Sequence, residues 1–146
     1  MGTDIHIVAQ FLNADGKWED CDPVPRHLEP RNYTLFAMLD GTRDYLIENP
    51  PAPICTEGPP EDFDVGEEDC QHNGKWMGYG ACGHATLAEI LAYDLGQIIT
   101  PATLPHHARG GPAPLRDSVG GWVEALRRFF IPLVPEACRI VWGYDS

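Results

Sequence analysis

Asp4 and His6 stand two residues apart at the start of the stretch MGTDIHIVAQF. A carboxylate and an imidazole at that spacing suit acid–base work or a divalent metal. Ile5, Ile7, Ala9 and Phe11 alternate with Asp4, His6, Val8 and Gln10, which is the period of a half-buried strand. Asp4 and His6 therefore share one face, roughly 7 Å apart. Two further residues join this set by position. His84 lies just ahead of a helix start at Thr86, where free N–H groups favour anions, and Asp145 ends the chain's last strand-like segment. These four form the first candidate constellation, and Asp4 and His6 are its candidate metal ligands. Against it stands the plainer reading of a solvated outer face.

Arg31, Tyr33 and Arg43 form a second set. Two guanidinium groups can fork onto phosphates while a phenol ring stacks on a base. With His84 they are the candidate ligand-binding residues. The alternative is pairing with some of the chain's many carboxylates. A third set is Cys70 and His72 with Cys82 and His84. The single residue inside each pair is fewer than the two to four usual for zinc, so Cys21, Cys55, Cys70, Cys82 and Cys138 read as free thiols. A fourth is the small basic island of His106, His107 and Arg109, read as a turn. The phosphate-loop, dinucleotide-loop, nucleophile-elbow and HExxH patterns are absent.

The elements that would position these groups belong to one domain of 146 residues. The α+β reading is a small antiparallel sheet, an N-terminal hairpin plus a C-terminal strand, covered by helices. Asn13–Gly16 is the hairpin turn. Leu35, Phe36 and Leu39 predict a short helix ending near Gly41. Thr86 and Glu89 form a capping box ahead of Leu87, Ile90 and Leu91. Leu115, Val119, Trp122, Leu126, Phe129 and Leu133 are spaced 4, 3, 4, 3, 4, the stripe of an amphipathic helix that Pro132 ends or kinks. The closing CRIVWGYDS reads as a strand joining the first hairpin. Residues 48–83 show neither period and read as an irregular, proline-rich, acidic excursion.

The net charge of −12 is uneven: residues 1–75 carry sixteen acids and five bases, residues 76–146 six and five. Glu57 to Asp69 holds seven acids and no base. Such a field repels nucleic acid, so direct nucleic-acid binding is not expected, and it suits cations or basic partners. No apolar run is long enough for a bilayer and no export signal is visible, so a cytoplasmic protein that does not engage membranes is expected. The sequence is compatible with a homo-oligomer. The acidic run, carrying little apolar material, is expected to be dispensable for folding.

MGTDIH, RNYTLFAMLDGTR, HATLAEILAYD and RIVWGYDS together resemble a family of small tailed-bacteriophage proteins. That family has a Gly-x-Asp-Ile-His strand, an Arg-Asn-Tyr-x-Leu-Phe-Ala segment and a histidine before a Leu-x-Glu-Leu-Leu helix. The resemblance touches a third of the chain and implies a phage accessory role in the host cytoplasm. Three functions follow as expectations. The first is capture of a small nucleotide-derived defence signal by Arg31, Tyr33, Arg43 and His84. The second is a phosphodiesterase on such a ligand, using a divalent metal at Asp4, His6 and His84. The third is an acidic imitation of nucleic acid aimed at a basic host defence protein.

Overall fold

The structure is a computed structural model describing residues 2–102 and 111–146. Its elements in chain order are β1 (Asp4–Leu12), β2 (Trp18–Asp20), α1 (Tyr33–Asp40), β3 (Gln71–His72), β4 (Lys75–Trp76), β5 (Ala81–Thr86), α2 (Leu87–Ala92), β6 (Ile98–Ile99), β7 (Ala113–Pro114), α3 (Leu115–Phe130) and β8 (Cys138–Asp145). The main sheet is antiparallel with order β2-β1-β8-β5. It is an α+β fold, and the closing strand joins the opening hairpin as the sequence implies. None of the helices among the described residues is long and apolar enough to cross a membrane.

β5 corrects the sequence reading of residues 48–83, which sees no period there. This strand adds a fourth member to the sheet, and β3 and β4 form a small hairpin before it. The segment is a folded part of the protein.

Register assigns the two faces. Ile5, Ile7 and Ala9 lie opposite Tyr144, Trp142 and Ile140, and Gly83 and Ala85 continue those rows on β5. This face packs on α1, α2 and α3 in the main core. α1 starts on Asn32, whose side chain accepts from the Leu35 N–H, and ends on Gly41 in the left-handed conformation at φ 86°. Its last residue, Asp40, ties helix to sheet, accepting from Trp142 Nε1 at 2.9 Å and Tyr144 OH at 3.1 Å. The capping box at Thr86 forms as predicted. The buried stripe of α3 is Leu115, Val119, Trp122, Val123, Leu126 and Phe130. The sequence reading puts Phe129 and Leu133 at the stripe's end. Phe129 is only half-buried, and Leu133 lies beyond the helix and is exposed. The helix stops at Phe130, so the 3–4 spacing no longer applies to Leu133.

The second face carries Asp4, His6, Val8 and Gln10 with their cross-strand partners, and beyond Asp4 it is covered rather than solvated. Val8 and Val141 pack with Phe63 and Met77 in a second small core. The covering segment presses close. A Cβ on Gly143 would lie 2.2 Å from the Met77 carbonyl oxygen, and one on Gly78 2.0 Å from that of Tyr144. Phe63 sits inside the acidic run at 9% exposure, so the run supplies apolar burial. This corrects the expectation that the run carries little apolar material.

Trp122 is buried and donates its indole N–H to the Leu28 carbonyl at 2.9 Å. Trp122→Ala should cost about 3–5 kcal/mol in urea unfolding. Gly143→Ala should cost about 1–3 kcal/mol by overpacking, with faster protease cleavage between residues 59 and 80. A Gly143→Ala protein matching the parent in both measurements would place the covering segment off the sheet.

Candidate functional site

The predicted site residues divide between two places. At one end of the sheet, Arg31 forks onto Asp4, Nε to Oδ1 at 2.9 Å and Nη2 to Oδ2 at 3.1 Å. That hydrogen-bonded guanidinium holds the Asp4 carboxyl below its ordinary range. Arg43 donates to Thr3 Oγ1 and to the Tyr45 hydroxyl, and its guanidinium lies 5.1 Å from the centre of the Tyr33 ring. The Tyr33 hydroxyl accepts the Thr3 N–H at 3.1 Å. Arg31, Tyr33 and Arg43 therefore gather around Thr3 and Asp4. His6 is hydrogen-bonded to Asp145 at 2.5 Å, and the Trp76 ring tilts against it at 5.0 Å.

His84 is not with them. It shares their sheet face, but β8 separates it from β1: His6 lies opposite Gly143, and His84 opposite Val141. Buried Met77 and Val141 occupy the middle of that face. His84 instead faces the Gly58 carbonyl at 2.8 Å and lines a cavity of about 140 Å³ with Cys55, Glu57 and Glu89. The covering segment fills the part of this face that lies between Asp4 and His6 at one end and His84 across β8, so the first candidate constellation does not come together. Among the described residues, no three His, Cys, Asp or Glu side chains are grouped to hold a metal ion. Asp4 is turned to Arg31 and His6 to Asp145.

The paired Cys-x-His set also comes apart. His72 faces Asp20 and the Asp64 carbonyl, and all five cysteines are free. Burial pushes the thiols of Cys82 and Cys138 up and that of Cys21 up to about 11, so these three stay protonated near neutrality. His106, His107 and Arg109 lie outside the described residues.

Sequence reasoning missed how the acidic run is held. All seven of its acids, Glu57, Glu61, Asp62, Asp64, Glu67, Glu68 and Asp69, are exposed, while Phe63 between them is buried. Beneath the run lies a polar network. Arg139, 5% exposed, stacks 4.3 Å from the centre of the Trp18 ring and donates to Gln10 and Asp62. Gln10 donates to Asp20, and Asp20 receives His72 at 2.9 Å and Asn73 at 2.8 Å. His72 stacks on Phe63 with ring centres 4.0 Å apart. Both ring nitrogens of His72 face oxygen acceptors, the Asp64 carbonyl and the Asp20 carboxylate. Lys75 adds a bond to Glu29 at 2.8 Å. Of the seven acids only Asp62 meets a cation among the described residues. The only sequence signal for this arrangement was the isolated Phe63 amid charges.

Comparisons with protein-family models, with curated proteins and with solved structures return no match.

Asp20 gives the network a pH dependence. Burial alone would raise its carboxyl, but hydrogen bonds from Gln10, Asn73 and His72 bring it below its ordinary value. A lowered folded value means stability that is present above about pH 3.9, the unfolded value, and lost as pH falls toward the folded one. Thermal melting should therefore fall more steeply with acid in the parent than in Asp20→Asn, which lacks this titration. Parallel curves would remove Asp20 from the network's energetics.

Proposed function

We propose that the chain is a non-enzymatic binding protein whose acidic face engages a basic surface of a host protein, as a phage accessory protein imitating nucleic acid would. One observation carries this reading: seven carboxylates stand exposed on a segment whose backbone is fixed to the sheet by a second core and a satisfied polar network. A fixed array of charges loses little conformational freedom on binding, unlike a loose acidic tail. Glu19 and Asp22, both exposed, extend the array beside Asp20. A field of one sign steers a basic partner and speeds its encounter.

A second reading keeps the nucleotide-derived signal at the opposite end of β1. It is favoured by the stacking of Arg43 on Tyr33 and by the exposed rings of Tyr45, Trp76 and Tyr79 nearby. Against it, a phosphate would have to displace Asp4 from Arg31, and five cavities formed among the described residues are lined without Arg31, Tyr33 or Arg43. Among the described residues, the phosphodiesterase reading has no converging metal ligands to rest on.

The test is calorimetric titration with a lysine-rich peptide at several salt concentrations. The parent should bind with affinity falling as salt rises. The triple variant Glu67→Gln, Glu68→Gln, Asp69→Asn should bind about tenfold more weakly, about 1.4 kcal/mol, with unchanged melting. Retention of ligand by the protein from a nucleotide panel, with no response to the peptide, would move the function to the arginine–tyrosine end.

A further inference from the structure

The acidic face does not end in solvent. Glu19, Asp20, Asp62 and Asp64 line one surface hollow, and Asp20 and Asp22 line the next, a groove of about 420 Å³. The groove's other walls are apolar: Phe11 from β1, Phe129 from the end of α3, and Ile131 and Leu133 from the segment that follows. That segment is unusually bare. Ile131 is 58% exposed, Leu133 43% and Val134 60%, three large aliphatic side chains within four residues. Scattered exposed apolar residues are ordinary, but a contiguous set beside a groove marks a contact surface. The nearest cations on α3, Arg127 and Arg128, turn back along the helix to Glu124, leaving the groove's polar rim to Asp20 and Asp22.

We propose that this groove receives an apolar side chain from a basic amphipathic segment of a protein partner, whose cations lie on Asp20, Asp22 and the adjoining acidic face. The proposal rests on the acidic-face reading and deepens it by naming the kind of segment recognised. Charge complementarity selects this occupant. A second copy of a chain with net charge −12 would bring its own carboxylates to the same rim. A neutral apolar segment would leave the exposed Asp22 without a partner, and the charge of Asp20 without a counter-cation, at the edge of a contact that excludes water. A basic amphipathic segment satisfies both walls.

Two synthetic peptides of equal length and charge test this, one of lysine and leucine and one of lysine and serine, each titrated into the full chain. Binding of the leucine peptide should be about tenfold tighter, the worth of one buried aliphatic side chain. The preference should vanish in the double variant Ile131→Ser, Leu133→Ser, which changes exposed residues only and should melt as the parent does. The Glu67/Glu68/Asp69 variant should weaken both peptides alike. Equal binding of the two peptides by the parent would overturn the groove and leave the acidic face standing. A preference that survives in the double variant would place the apolar contact elsewhere and also overturn it. Binding of neither peptide would end both readings. A parent that self-associates, with a double variant that does not, would assign the groove to a second copy instead.

Discussion

The close approach of the turn around Gly78 to β8 at Gly143 is the constraint from which the rest of the molecule follows. Gly143 lies on the second face of the sheet, where any side chain would meet the backbone carbonyls of Met77 and Gly80. Without one, the crossing backbone settles near enough for the Tyr79 N–H to reach the Tyr144 carbonyl at 2.9 Å. Met77 is then driven fully into the sheet beside Val8 and Val141. Trp76 lands on His6, and the β3–β4 hairpin brings His72 to Asp20. On the helix side Gly83 plays the matching part, since a Cβ there would strike the Trp142 ring. β8 is thus buried over nearly its whole length.

Folding so many acids against a sheet works because charge and burial are separated by direction. The acids of the run stay exposed, where water screens their repulsion, while Phe63 and, in part, Val65 turn in. The deeply buried guanidinium of Arg139 is matched by Gln10, Asp62 and the Trp18 ring. No buried side-chain nitrogen or oxygen among the described residues lacks a hydrogen-bond partner. Breaking such a network at one member is costly, because the partner left behind is desolvated and unpaired.

Local signals were legible and long-range closure was not. Alternation in β1, the Thr86–Glu89 box and the 3–4 spacing of α3 are written within a few residues, and each appears where its pattern stands. β5 escaped because its inward positions, Gly83 and Ala85, are too small to show as apolar alternation, although its burial does alternate. Asp4 and His6 were rightly placed on the face away from Ile5 and Ile7. What covers that face is set by Met77 and Phe63, some seventy and sixty residues downstream, and no periodicity connects them. Polar residues on a strand were therefore read as a candidate site or a solvated face, where they are the edge of a second, smaller core. The arginine–tyrosine cluster was legible as a set, because Arg31 and Tyr33 flank a cap and Arg43 follows Gly41. Its partners Thr3 and Asp4 were not.

Asp20 joins the stability of the fold to the proposed binding surface. Its carboxylate anchors His72 and Asn73, and so holds the acidic segment down. The same residue lines both the acidic hollow and the apolar groove. Bonds from Gln10, Asn73 and His72 already engage its oxygens, so Asp20 offers a partner its negative field more than a free acceptor. Asp22, exposed at the groove's mouth, is the better candidate for a direct ion pair. Against its partial burial, the bonds from Gln10, Asn73 and His72 favour the charged form of Asp20 and keep it ionised to a lower pH than a free carboxyl, so the latch that holds the acidic segment to the sheet persists into acid.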